Sequence, residues 1–356
     1  MTSAKSDKHT VRKVTGYIIP FLLTGFFLYF AFEDVDLSEA FHLISEVSIP
    51  YLILFLFVFA LSHFLRAVRW KVMARSVKED ISVTNALGAT MIGYGVNCVV
   101  PRLGELYRGL FLARWEGISR TSMLGTIVVE RIIDIIALGI AVIISVMVYS
   151  GNLYTEITWL SSALIFGSVG IILLIVVIYF TVKLKQRFYN AIVKFVGKIS
   201  VSAAEKTANA FRTLTEGFAA LRTKQSYVYT FSLSVLIMLA YGYASYVAFY
   251  MLHMDEIQTT TFAMAWIIMT ISAFGIVIPT PGGTGSYHAI NILVLTQLFG
   301  FNQEVSAAYA ILTHLISYLV FILSTIFFLY FINSQQAKKG LKKETFLSVL
   351  TNSKDN

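Results

Sequence analysis

Six stretches of this chain, near residues 14–32, 48–66, 121–149, 158–182, 227–252 and 305–332, are apolar almost without a break for the ~20 positions that an α-helix needs to cross a hydrocarbon core. A chain of 356 residues cannot turn every face of six such helices towards its own interior, so lipid must solvate many of these side chains. Composition points the same way: only 13% of residues are charged, about half the ~25% usual in soluble domains. Outer-membrane barrels alternate apolar and polar residues in segments of about ten, and these runs are continuous. The expected class is therefore an all-α polytopic membrane protein with six clear transmembrane helices. A single cysteine, Cys98, rules out a disulfide framework and a cysteine-based metal cluster.

Two further apolar regions, 84–113 and 261–299, are interrupted in the middle by Pro and Gly, so each reads as two short half-helices. The first span follows Lys5, Lys8, Arg12 and Lys13 as a signal peptide would, but Glu33, Asp34 and Asp36 come after it with no small-residue cleavage site. It reads as a retained anchor.

The net charge is +8, and all 28 Lys and Arg fall at 5–13, 66–78, 102–120, Arg131, 183–224 and 338–354. Segments 14–65, 132–182 and 225–337 have none, yet carry acids such as Glu33, Asp34, Glu156, Asp255, Glu256 and Glu304. Basic charge confined to alternate loops is a topology signal and not a nucleic-acid surface. By the positive-inside rule the basic loops and both termini are cytoplasmic, with 33–46 and 253–258 outside. The expected location is the bacterial inner (plasma) membrane. The region 84–113 then enters and leaves on the inner side, and 261–299 on the outer side. Each is a re-entrant hairpin or a pair of full spans, and arms of ten or so apolar residues favour the former.

The order span, span, broken region, span occurs twice, over 14–149 and 158–332, in opposite orientations. The breaks align: Val99-Val100-Pro101-Arg102-Leu103-Gly104 with Val277-Ile278-Pro279-Thr280-Pro281-Gly282, sharing V-[VI]-P-x-x-G. An inverted-topology repeat is expected, the build of many secondary transporters, whose paired interruptions mark the binding site. The remaining divisions are a cytoplasmic N-terminus at 1–13, an outer loop at 150–157, an insertion at 183–226 and a basic cytoplasmic tail at 333–356. The insertion repeats apolar residues at helical spacing (Leu184, Phe188, Ile192, Phe195; Phe211, Leu214, Phe218, Leu221) among basic ones. That suits amphipathic helices against anionic inner-leaflet lipid, or a helical hairpin packed on other loops.

HExxH, G-x-S-x-G, GxxxxGK, GxGxxG and CxxC are all missing, so neither catalytic chemistry nor a cofactor or metal is expected. What remains are polar groups at membrane depth, each charge costing about 2.5–3.5 kcal/mol at a helix centre. The outer break, Pro281-Gly282-Gly283-Thr284-Gly285 leading to His288, offers backbone N–H groups at a helix start to an anion such as a lipid phosphate; equally, the glycines serve only a tight turn. In the inner break Arg102 and Arg108 are suited to clamp a phosphodiester, with Gly104 between them and Glu105 as their partner in the empty state; alternatively they sit in cytoplasmic water. Glu130, Arg131 and Asp134 form an intramembrane charge cluster, in which Arg131 is expected to be buried against Glu130, Asp134 or Glu105. His314 and Ser317 sit at comparable depth in the second copy, His314 reading as a hydrogen-bonded packing residue.

Arg66-Ala67-Val68-Arg69-Trp70, Pro101-Arg102-Leu103-Gly104-Glu105 with Arg108, Glu130-Arg131 with Asp134, and Pro281-Gly282-Gly283-Thr284-Gly285 together resemble the lysylphosphatidylglycerol synthase transmembrane-region family of flippase-like integral membrane proteins. The likeness runs from about 14 to 332. In bifunctional members it implies a membrane domain that moves aminoacylated phospholipid between leaflets, beside a cytosolic domain that makes it. Here only some 25 polar and basic residues follow Phe331, so synthesis is not expected. His288 departs from the family pattern, which often has Glu after the glycine motif. Arg66, Arg69 and Trp70 are expected at the cytoplasmic interface.

These readings converge on a lipid translocase or lipid-binding transporter whose partner is a membrane phospholipid or a polyprenyl-phosphate lipid, without nucleic acid. The alternatives are an integral membrane enzyme using a polyprenyl-phosphate-linked substrate, for which Asp34-Val35-Asp36 supplies a short D-x-D, and a non-transporting partner of a separate lipid-modifying enzyme.

Overall fold

The computed structural model describes residues 3–149 and 223–351, together with 167, 169, 170, 176, 194, 200 and 201. The outer loop at 150–157 and nearly all of the expected span at 158–182 and of the insertion at 183–226 lie outside the described residues. The described regular elements are all helical: α1 (Ser3–Phe32), α2 (Leu37–Ser45), α3 (Ile49–Ala74), α4 (Val83–Val99), α5 (Gly104–Glu116), α6 (Arg120–Val148), α7 (Lys224–Met251), α8 (Met254–Ile257), α9 (Phe262–Val277), a 3₁₀ turn (Pro281–Gly283), α10 (Ser286–Leu293) passing into a π-helical turn (Val294–Leu298), α11 (Gln303–Lys338) and α12 (Ser348–Thr351).

Four of them, α3, α6, α7 and α11, are long and apolar enough to cross a membrane; residues 18–32 of α1 pass jointly with α2, from which they bend by 86°. Large apolar side chains on these helices point away from the protein, Phe57 at 65% and Leu323 at 63% exposure. Exposure of that kind on so many neighbouring residues requires lipid as solvent. The chain is a multi-pass membrane protein.

Two boundaries differ from the sequence expectation. The second span was expected to end near 66, but α3 runs on to Ala74 because no Pro or Gly interrupts it, and it carries Arg66, Arg69 and Trp70 inside the helix. The acidic stretch 33–46 contains α2, started by Asp36, whose carboxylate accepts from the backbone N–H groups of Ser38 (2.9 Å) and Glu39 (3.3 Å). The arms of the broken regions also exceed ten residues: α4 has 17 and α9 has 16. At ~1.5 Å per residue they still fall short of the ~30 Å core.

The chain divides into two compact units. The first comprises 1–60, 91–104 and 240–327; the second comprises 61–90, 105–239 and 328–356. In the first, Ala31, Ala40, Ile292, Ala307 and Ala310 form a buried cluster joined by Phe32, Val35 and Ala289. Small residues at these contacts let helix backbones approach closely where no water-driven association operates between helices. Thr325 of α11 reaches across Gly95 of α4 to donate to the Met91 carbonyl at 3.0 Å. In the second unit, Trp70 is fully buried and its indole N–H donates to Thr126 Oγ1 at 3.0 Å. There, too, the expected tail folds back after Lys338. Asn333 and Glu344 exchange two hydrogen bonds (2.7 and 2.9 Å), and Phe346 sets its edge on Tyr107 and Phe111.

Candidate functional site

Both interruptions fall in the first unit, and the chain brings them together. α4 ends at Val99; Arg102 then adopts a left-handed backbone (φ 64°), reversing the chain into α5. The Gly104 N–H donates to Asn97 Oδ1 at 2.8 Å, and a Cβ at Gly104 would collide with the Gly93 carbonyl, so close approach demands glycine here. Arg102 is exposed, and its guanidinium donates to the Val277 carbonyl at 2.9 Å. That carbonyl closes α9, where orphan C=O groups concentrate negative partial charge, so a cation is favoured. Tyr318 of α11 makes a second link, its hydroxyl lying 2.6 Å from the Pro281 carbonyl and 3.1 Å from the Cys98 carbonyl.

The glycine loop closes largely on itself. Gly282, Gly283 and Gly285 all have positive φ (56°, 82° and 87°). The N–H groups of Gly283 and Thr284 donate to the Thr280 and Pro281 carbonyls (3.1 and 2.9 Å), and that of Gly285 to His288 Nδ1 at 3.3 Å. The N–H groups of Gly283, Thr284 and Gly285, among those expected to meet a phosphate, are thus taken up within the turn. His288, buried, accepts from the residue that caps α10, as a Glu three residues into a helix does in a capping box. His314 Nε2 meets the Gly282 carbonyl at 3.2 Å, and its ring packs against His288 and Tyr318, both at 4.6 Å between centroids. Ser317 turns back to the Thr313 carbonyl of its own helix. Ser286, fully buried, donates to the Gly275 carbonyl at 2.7 Å, and Asn291 accepts from Ser272 at 2.9 Å. Tyr318, Asn97, Ser286 and Asn291 were not singled out from the sequence; each is a polar residue in an apolar helix, which was the available signal.

Glu105 and Arg108 belong to the second unit and not to this group. Arg108 donates to Glu130 Oε2 and lays its guanidinium over Trp70, 4.2 Å from the ring centroid. Glu130, at 0% exposure, also faces Arg66 Nε at 3.2 Å and Arg69 at 3.3 Å; both arginines bond Asp134 as well, and Arg69 reaches Ser234 Oγ at 2.9 Å. Arg66, Arg69 and Trp70 are therefore buried within the protein. The reason is geometric: 66 and 69 lie three apart on one face of α3, and 130 and 134 four apart on one face of α6. Arg131, one position round α6 from Glu130, is turned outwards. It is 37% exposed and stands 3.7 Å from both Glu105 and Asp134, so the expected burial of Arg131 is not what the fold provides.

A polytopic helical membrane protein whose two broken helices meet within one unit is the class that this geometry defines. The chain belongs to the family described as lysylphosphatidylglycerol synthase TM region, matching it over residues 17–324. It is also similar to a UPF0104 membrane protein of Methanocaldococcus jannaschii, 22% identical over 316 residues, spanning 86% of this chain and 92% of that one. No solved structure matches the chain at a significant level.

Proposed function

We propose that this protein lets a phosphate-bearing lipid headgroup cross the bilayer at the joined breaks, without covalent chemistry, while the acyl tails stay in lipid. The observation that carries the reading is Arg102: an exposed residue whose guanidinium is held on the last carbonyl of α9. A guanidinium fork is built for phosphate oxygens. A bare phosphate in hydrocarbon is prohibitive, so a polar path through non-helical backbone is what passage requires. Family membership, the matched V-[VI]-P-x-x-G hexapeptides and the proximity of the breaks support an inverted-repeat transporter in which the phospholipid or polyprenyl-phosphate lipid is cargo.

Arg102→Gly tests this. Glycine is at ease at φ 64°, so the variant sheds about 1 kcal/mol of backbone strain and should fold at least as well as the wild type. In proteoliposomes scored for leaflet exposure of candidate lipids it should move them at least about tenfold more slowly, the loss of one charge-assisted contact. Wild-type protein that moves none of a broad set of phospholipids and polyprenyl phosphates would sink the reading.

The proposed setting is a bacterial inner membrane with both termini cytoplasmic. In a Cys98→Ser background, a cysteine at exposed Ser38 should react with an impermeant maleimide added outside intact cells, and one at exposed Lys342 should not. The reverse pattern would invert the topology.

A further inference from the structure

We propose that Tyr318 is a two-position latch between the breaks, its single hydroxyl hydrogen alternating between the Cys98 carbonyl on the first break and the Pro281 carbonyl on the second, with Thr284 switching in concert.

The hydrogen count forces a choice. The Tyr318 oxygen lies 3.1 Å from Cys98 O, 2.6 Å from Pro281 O and 2.9 Å from Thr284 Oγ1, which is itself 2.7 Å from Pro281 O. Two hydroxyls bring two hydrogens, and each can be given once. When Thr284 donates to Pro281 O, Tyr318 is released to hold Cys98 O. When Tyr318 donates to Pro281 O, Thr284 can donate to the Tyr318 oxygen, and the Cys98 carbonyl loses its partner from α11. That carbonyl lies in the last turn of α4, where intrahelical donors run out, so losing the tyrosine frees the end of α4 from the glycine loop. Space fixes the ring in this role: a Cβ on Gly282 would overlap the Tyr318 ring, so the loop and the tyrosine fit only as they stand. Tyr318 is thus a positioning residue; it sets whether the two breaks are tied. Its bearing on lipid passage rests on the function proposed above, but the alternation itself does not.

Cys98, the single cysteine and buried at this joint, is a native probe. Protein in lipid nanodiscs is labelled with N-ethylmaleimide, and deuterium uptake of residues 98–104 is followed by mass spectrometry. Tyr318→Phe should raise both the Cys98 labelling rate and the uptake, by about tenfold for one lost hydrogen bond. The deciding variant is Thr284→Val, which touches nothing on the first break. With the threonine donor gone, the Tyr318 hydrogen should commit to Pro281 O, and Cys98 should again label faster; Thr284→Ser should restore the wild-type rate. Thr284→Ala replaces the valine variant if that one does not fold. A fixed brace predicts no change at Cys98 when Thr284 is altered, and that result overturns the latch whatever Tyr318→Phe does. If the wild type moves no lipid while these labelling results hold, the transport reading fails and the latch stands.

Discussion

Glu130→Ala should be the most destabilising single substitution in the protein, at about 3–5 kcal/mol, the cost of removing one partner from a buried ion pair. Its carboxylate is fully buried and faces three guanidiniums, those of Arg66, Arg69 and Arg108. Removing it takes away a carboxylate that three buried guanidiniums share, while Arg66 and Arg69 keep Asp134. The expected readout is loss of the monodisperse peak in detergent chromatography, or a fall in Tm of about 5–15 °C. Glu130→Gln keeps the shape and two lone pairs but not the charge, and should lose most of the same stability. Arg131→Ala is the control on the same helix: half-exposed and 3.7 Å from its partners, it contributes at most about 1 kcal/mol as a surface pair. A Glu130→Ala protein as stable as Arg131→Ala would show that the arginines are held by something other than this carboxylate.

Gly285→Ala should be far more damaging than Gly283→Ala, which should be tolerated. Both have positive φ, so either alanine adds about 1–2 kcal/mol of backbone strain. They differ in space. A Cβ on Gly285 would stand 2.8 Å from the Thr24 carbonyl and 3.0 Å from Phe27 Cβ, both on the rigid helix α1, whereas at Gly283 the nearest atom is 3.5 Å away. Gly285→Ala must push α1 from the loop or distort the turn that starts α10. The expected outcome is a fall in folded yield for Gly285→Ala together with loss of lipid movement. Gly283→Ala should keep the fold and lose little Tm. Thermal unfolding of the two variants side by side checks this; equal Tm values would mean that α1 does not lie tightly on the loop.

The sequence by itself determined the class of the protein. Continuous apolar runs of membrane length leave lipid as the only solvent able to take them, and Pro and Gly at 101, 104, 279, 281–283 and 285 mark where helices stop, because a proline cannot continue a hydrogen-bond ladder and glycine takes the φ of +56° to +87° found at 282, 283 and 285 at no steric cost. It also pointed to Glu130 and Asp134, since charges inside an apolar helix need partners. Which cations pair with them was decided only by the tertiary structure. Pattern along α6 offered its neighbour Arg131, yet successive residues on a helix point about 100° apart, so Arg131 stays at the half-exposed edge, 3.7 Å from Asp134, and the inward face is filled by Arg66 and Arg69 from α3 and Arg108 from α5, 22 to 68 positions away in the chain. The same holds at the breaks. That a glycine loop begins a helix is local information; that the amides of Gly283, Thr284 and Gly285 are taken up by Thr280, Pro281 and His288, and that a tyrosine 37 residues on ties the loop to the carbonyl of Cys98, depends on packing, where a hydroxyl bonds whichever carbonyl the fold brings within 3 Å or so.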